Sequence, residues 1–505
     1  MKVTLVFPPQ FDPSMPHLAL PCLAAVLRRG GHQVLLRDVN LELYEEVLTA
    51  GAITRSLELI HERRESILQQ GCPTETLQAA LATAPVVAHL VEYAKNTLRS
   101  PEQFHNYERY SGSLKIIDQA MLIFSLPFYP TRFSLYGYVM EKPPYSTGYV
   151  TGATTDELHN PFIHLYEKYT LPSLPAEGPD LVGLSISYEE QLVPGLTLAR
   201  MIKEKHPGTH IVIGGNILTR HRQALIGNER LSQYFDSVIV YEGETALLEL
   251  ANRLEEGRAL EGIPNLYHKS GGSIIAPSSL HVEQVKTLPP PDFSGLPIGR
   301  YFSPYPVLPA YLSRGCYWRQ CAFCTSPDGQ DKIYRRRPAH QVAEDLAELR
   351  AKWGAACFAF VDEAVPPHHL DRLADRLLSL KEGGFSWISW ARFDRGFTPV
   401  VLEKLKRSGC AALLFGLESA SGRVLDRMQK GIHVDTAREI LSASRAAGIL
   451  NHAGILVGFP TESEQEALET VRFVLEHDRE IQSIGLSLFN LDRDSRVMME
   501  LERHG

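Results

Sequence analysis

Ser313-Arg314-Gly315-Cys316-Tyr317-Trp318-Arg319-Gln320-Cys321-Ala322-Phe323-Cys324 is the stretch on which the reading of this chain turns. The chain has 505 residues and seven cysteines, and three of the seven fall here. Three thiolates on one loop can hold three corners of an iron–sulfur cluster and leave the fourth iron open to a substrate or cofactor. The same residues leave a zinc site open as an alternative, completed by His340 or Asp328. Arg319 and Gln320 break the apolar context that buried structural cysteines prefer.

Outward from that stretch, strand and helix patterns alternate. A strand over 310–313 leads into the cysteines and a helix over 340–352 follows. Strands over 357–361, 387–390, 412–415, 452–457 and 483–489 come next. The helical patterns between them cover 370–381, 399–408, 424–428, 436–447 and 463–477. Six βα units in a row predict a closed or partial barrel with its chemistry at the carboxyl ends of the strands. The cysteines follow the first strand, at that end.

Upstream, 285–308 holds Pro289-Pro290-Pro291, Pro297, Pro304 and Pro306, which predicts an extended connector. Before it lies a second alternating series. Strands are expected at 3–7, 32–38, 181–187, 210–215 and 237–241, with helices at 18–29, 192–206 and 245–256. This pattern predicts a parallel sheet covered on both faces. It is interrupted at about 41–178 by an insertion, helical over 41–67 and 75–98, then aromatic and proline-rich near 128–149. The insertion reads equally as a helical cap packed on the sheet or as a lid over a ligand.

The net charge of −8 gives no general attraction to nucleic acid or to an anionic membrane. Arg335-Arg336-Arg337 is a local basic run, read as a solvated or cofactor-facing turn. No stretch is apolar for the roughly 20 residues a membrane span needs. The opening Met1-Lys2-Val3-Thr4-Leu5-Val6-Phe7-Pro8-Pro9 reads as a buried strand, not a signal peptide. Cys22, Cys72, Cys357 and Cys410 are scattered, which points to a reducing cytoplasm.

The Cys-x4-Cys-x2-Cys spacing, with Ser313-Arg314-Gly315-Cys316 and Ala322-Phe323-Cys324, resembles the radical S-adenosylmethionine (SAM) superfamily. The usual spacing there is one residue shorter, Cys-x3-Cys-x2-Cys. The resemblance implies that Cys316, Cys321 and Cys324 ligate a 4Fe-4S cluster whose fourth iron is chelated by S-adenosyl-L-methionine. It further implies roles toward that cofactor: Asp362 and Glu363 at its amino end, Arg392 at its carboxylate, Glu418 at the ribose, and Gly458 in an adenine-side turn. Many members continue with a further helical region past the sixth strand, where this chain has only 493–505.

The first segment resembles the cobalamin-binding domain found ahead of many radical enzymes. The resemblance rests on Phe7-Pro8-Pro9, Gly30-Gly31-His32, Pro179-Asp180-Leu181-Val182-Gly183-Leu184-Ser185, Gly214-Gly215 and Glu242-Gly243-Glu244. It implies that Pro8, Pro9, Ser185, Gly214, Gly215, Glu242 and Gly243 face a cobalamin, glycines letting the ring approach the backbone. The Asp-x-His-x-x-Gly motif of other cobalamin proteins is absent; Asp12 and His17 stand five apart without the glycine. No histidine ligand to cobalt is therefore expected, and His17 is read as a loop or surface residue.

The fold class expected is thus α/β. A cobalamin-binding-like, doubly wound parallel sheet with a helical insertion (1–284) precedes a linker (285–308) and a partial (β/α)6 radical SAM barrel (309–505). The resemblance implies a cytoplasmic, cobalamin-dependent enzyme that cleaves SAM reductively and methylates an unactivated carbon. A non-methylating rearrangement or cyclisation, and a non-catalytic cobalamin or iron–sulfur sensor, are the alternatives. It also implies an electron donor of flavodoxin or ferredoxin type. The substrate is left open among a peptide, a lipid and a small metabolite.

Overall fold

The structure, a computed structural model, describes every residue except 145, 176, 224–228, 271–272, 326–332, 382 and 505. Contacts divide the chain into two units. Met1–Glu283 with Pro289–Tyr305 form one, and Gln284–Leu288 with Pro306–Gly505 the other. Most of the proline-rich stretch therefore packs into the first unit. Tyr301 donates its hydroxyl to Asp38 at 2.7 Å and Arg28 pairs with Asp292 at 2.7 Å, fixing that stretch in place.

The first unit is built on a seven-stranded sheet. Its strands are β1 (Lys2–Phe7), β2 (Gln33–Asp38), β3 (Leu181–Ser185), β4 (His210–Gly214), β5 (Ser237–Ile239), β6 (Leu266–Ser270) and β7 (Ser273–Ile275). The spatial order is β2-β1-β3-β4-β5-β6-β7. The first five are parallel, with Val3 opposite both Val34 and Leu181. β6 and β7 extend this parallel sheet antiparallel at one edge. Their lengths of five and three residues are too short to carry a periodic signal.

Helix α1 (Ala19–Arg29) buries Leu20, Ala24 and Leu27 and stops at Gly30-Gly31. Gly31 takes φ +90°, letting the His32 amide turn back onto the Leu27 carbonyl. The expected 41–67 helix is broken. Instead, α2 (Val39–Val47) ends and Thr49 caps α3 (Ala50–Glu62) by accepting from the Ala52 amide. The insertion also contains α4 (Thr74–Arg99) and α5 (Tyr107–Ser125), the latter missed in the sequence. Ile53, Val91 and Ile117 of these helices share one continuous apolar core with Val6, Val182 and Leu184 of the sheet. The insertion is thus a packed layer, matching the cap reading.

The second unit is a six-stranded, wholly parallel sheet in simple order: β8 (Val307–Ala310), β9 (Cys357–Phe360), β10 (Ser386–Ala391), β11 (Cys410–Glu418), β12 (Leu450–Val457) and β13 (Ser483–Leu488). The first strand begins three residues earlier than the expected 310–313, inside the predicted connector. Ser313–Arg314 instead pairs antiparallel with Arg335–Arg336. Helices α6 (Leu192–Lys205) and α7 (Glu244–Glu256) flank the first sheet. Helices α8 (Ala339–Trp353), α9 (Pro367–Ser379), α10 (Pro399–Arg407), α11 (Val434–Ala446) and α12 (Glu464–Glu476) connect the second.

Candidate functional site

Three residues past β8, Ser313 and Arg314 form the short pair that launches the cysteine loop. Asp362, at the end of β9, fixes the launch. It accepts from the Leu312 amide at 3.0 Å and from the Ser313 hydroxyl at 2.5 Å. Burial pushes its carboxyl up to about 6, against those hydrogen bonds. Gly315 then turns the chain at φ +79°.

Cys321 is buried; Cys316 and Cys324 are half-buried. The loop between them is braced from a segment the sequence reading passed over, Met428-Gln429-Lys430-Gly431. Ala322 donates its amide to the Met428 carbonyl at 2.8 Å, and the Trp318 indole donates to the Gln429 carbonyl at 2.9 Å. A Cβ on Gly431 would lie 1.9 Å from the Trp318 ring, and Gly431 sits at φ +64°. Only glycine admits Trp318 there. From the other side, Arg496 donates to the side chains of Gln320 and Gln429, each at 3.1 Å. The Val497 amide bonds the Ala322 carbonyl.

Arg392, at the end of β10, lies over the Trp318 ring at 4.6 Å and points one nitrogen at the Cys321 sulfur at 3.8 Å. Its other terminal nitrogen donates to the Lys430 carbonyl. Lys430 in turn pairs with Glu418 at 2.6 Å. Glu418 ends β11 at φ +65°, beside a register shift from Gly416. The structure thus joins Cys321, Arg392 and Glu418 through Lys430. Burial raises the Cys321 thiol, and Lys430 and Arg392 offset only part of that rise.

Tyr317, the other aromatic of the spacer, donates to Asp394 at 3.2 Å. Burial, with Asp394 beside it, raises its phenol, so it remains a donor. Glu363 is exposed next to Asp362. Gly458 stands at φ +83° with its amide on Glu462 at 2.6 Å. His340 opens α8 and lines a separate cavity with Arg336; Asp328 lies outside the described residues. Among the described residues no three His, Cys, Asp or Glu side chains converge on one metal ion. Three cysteines on one braced loop, with Arg392 beside Cys321, form a donor set that fits an iron–sulfur cluster.

In the first unit, Pro8, Pro9, Ser185, Gly214, Gly215, Glu242 and Gly243 all lie at or just past the carboxyl ends of parallel strands. The order reverses between β1 and β3, where open α/β sheets take their ligands. Individually they are more engaged than expected. The Pro8 carbonyl accepts from Gln191 at 2.6 Å, and Glu242 accepts from the Glu283 amide at 2.7 Å. A Cβ on Gly215 would fall 2.1 Å from the Ile186 carbonyl, so this glycine serves the approach of β3 to β4. His17 lies in the loop after β1 and is half-buried. It stacks on Phe7 at 4.5 Å, edge-on to Phe11 and Tyr188, and burial lowers it to about 4. These four rings form an aromatic floor at the switch point.

Residues 311–474 match the family model described as the Radical SAM superfamily. The chain carries a radical SAM domain. Its kinship in sequence is wider than that domain: it is 29% identical over 306 residues to an uncharacterized methyltransferase of Pyrococcus horikoshii, covering 59% of this chain and 65% of the relative. A cytidylyl-2-hydroxyethylphosphonate methyltransferase of Streptomyces wedmorensis is 24% identical, covering 56% and 58%. The chain thus spans less than two thirds of these relatives' length. In fold, it resembles the radical SAM methyltransferase TsrM of Kitasatospora setae, solved with cobalamin and a 4Fe-4S cluster bound. The match has a TM-score of 0.61 at 15% identity, over 99% of this chain and 77% of that one. The radical SAM domain here follows a doubly wound α/β unit.

Proposed function

We propose that the protein is a cobalamin-dependent radical SAM enzyme that transfers a methyl group to an unactivated carbon. The observation that carries the reading is the braced cysteine loop of the radical SAM domain, with Cys321 held between Arg392 and Lys430. When bound, the cluster supplies the electron that cleaves SAM, and cobalamin supplies the methyl group.

The chain's own residues hold and shield this chemistry. Cys316, Cys321 and Cys324 would ligate the cluster. Trp318, on the extra spacer residue, closes one side of the loop. Arg392 and Glu418 would meet the SAM carboxylate and ribose from positions where they already hold the loop and Lys430, with Asp362 and Glu363 toward its amino end and Gly458 toward its adenine. The cobalamin would rest at the β1–β3 switch point, over the floor of His17, Phe7, Phe11 and Tyr188. His17 has no place as a cobalt ligand while its ring is stacked. Among the described residues no helix is long and apolar enough to cross a membrane. None of the seven cysteines is in a disulfide, which supports a reducing cytoplasm, where a flavodoxin or ferredoxin supplies electrons.

Anaerobic reconstitution tests the reading. Reduced protein given SAM is expected to release 5′-deoxyadenosine even without substrate, and a Cys316→Ala, Cys321→Ala, Cys324→Ala variant to lose iron and acid-labile sulfide together. Zinc in place of iron in the native protein, or no 5′-deoxyadenosine from a protein with a full cluster, would overturn it.

A further inference from the structure

A cavity of about 570 Å³ opens between the start of α8 and the outer face of α9 in the radical SAM domain. Arg336, His340, Arg372 and Arg376 line it, and all four are exposed. Arg372 and Arg376 lie one turn apart on α9, a like-charge spacing that costs a helix stability. Among the described residues neither arginine has an ion-pair partner. Asp375, the acid of the lining, is engaged by Lys404 at 3.0 Å together with Asp371 at 2.8 Å. The run Arg335-Arg336-Arg337 divides. Arg337 is buried against Asp345 and the Tyr311 hydroxyl, while Arg336 has no carboxylate partner among the described residues. A chain of net charge −8 thus keeps a net basic face here.

The form of this face distinguishes its ligand. A small anion is gripped by convergent, desolvated donors, and the deep cation here, Arg337, is already neutralised. Guanidiniums spread along a rim in water instead speed and orient the approach of an acidic macromolecule. The location adds the rest. Arg336 pairs with Ser313 in the short antiparallel ladder, and Ser313 stands three residues before Cys316. A partner seated on this face lies beside the cluster loop without touching a substrate. We propose that the basic face formed by Arg336, His340, Arg372 and Arg376 docks the acidic surface of a one-electron donor protein. This rests on the radical SAM reading above. One electron leaves the reduced donor, which is oxidised by one, and enters the cluster, which is reduced by one; no bond or proton moves.

The test uses the full chain with its cluster reconstituted and a reduced acidic flavodoxin as probe. Binding is measured by fluorescence anisotropy at low and high salt, and reduction by bleaching of the cluster absorbance. An Arg372→Glu, Arg376→Glu variant is expected to bind flavodoxin at least about tenfold more weakly and to lose most of the salt dependence. It should be reduced more slowly by flavodoxin but at the wild-type rate by dithionite. Arg372→Gln, Arg376→Gln, which keeps the side-chain length, guards against misfolding and is expected to show an intermediate loss. Unchanged flavodoxin binding in both variants overturns the proposal. So does stoichiometric binding of pyrophosphate that the variants abolish while flavodoxin binding persists. If dithionite bleaches nothing in the wild type, the cluster reading fails; the binding measurement still decides the docking face.

Discussion

Gly431 is the most exacting single position near the cysteines, because the Trp318 ring occupies the volume a side chain would need. Gly431→Ala is expected to cost about 1–3 kcal/mol and to lower the iron retained after reconstitution. A Trp318→Ala, Gly431→Ala double variant should recover stability relative to Gly431→Ala, as read by thermal melting. If Gly431→Ala melts like the wild type, the packing account is wrong. Asp362 makes a second prediction. Burial raises its carboxyl from 3.8 to about 6, so the unfolded chain releases that proton first. Its contribution is present below pH 4 and lost as pH climbs to about 6, by roughly 3 kcal/mol at most. Asp362→Asn should flatten that part of the stability–pH curve. His17 runs oppositely: with its imidazole lowered to about 4, stability is lost as pH falls below about 6.5. The cysteines were legible in the sequence because their spacing is local. Lys430, Gly431 and Arg496 were not, because their roles depend on contacts 100 residues or more from the loop's Trp318 and Gln320.

At the scale of elements, alternation of apolar runs made the βα series readable, since each parallel strand is buried on both faces. Where an element is held by something other than periodicity, the reading slipped. β8 lies in a proline-rich stretch, and α5 is set by Asn106 accepting from the Arg109 amide rather than by a strong apolar stripe. β13 carries a consequence of its own. It is the edge of the second sheet, with Ile484, Leu486 and Leu488 exposed at 49%, 66% and 79%. An edge strand with an apolar face invites association. Leu486→Lys with Leu488→Lys is expected to reduce self-association in sedimentation velocity while leaving the melting temperature within a few degrees. Unchanged association in that variant would show that the exposed edge is not the sticky surface.

Among the described residues, one apolar core lies under the seven-stranded sheet and its helical layer, and the radical SAM domain packs a cluster of its own. Ligands that bind only the folded form raise its stability in proportion to occupancy. Cobalamin is therefore expected to raise the calorimetric transition of the first unit, and cluster loading that of the second. A single transition moved equally by both would contradict this. The chain changes unit after Glu283, again after Leu288 and again after Tyr305. Neither unit is therefore one uninterrupted stretch of gene. A recombination event that borrowed the radical SAM domain at Pro306 would leave behind Gln284–Leu288, whose Leu288 carbonyl accepts from Arg337. The two units are stitched at the level of inheritance, and a shuffled descendant would have to carry the seam along with the cloth.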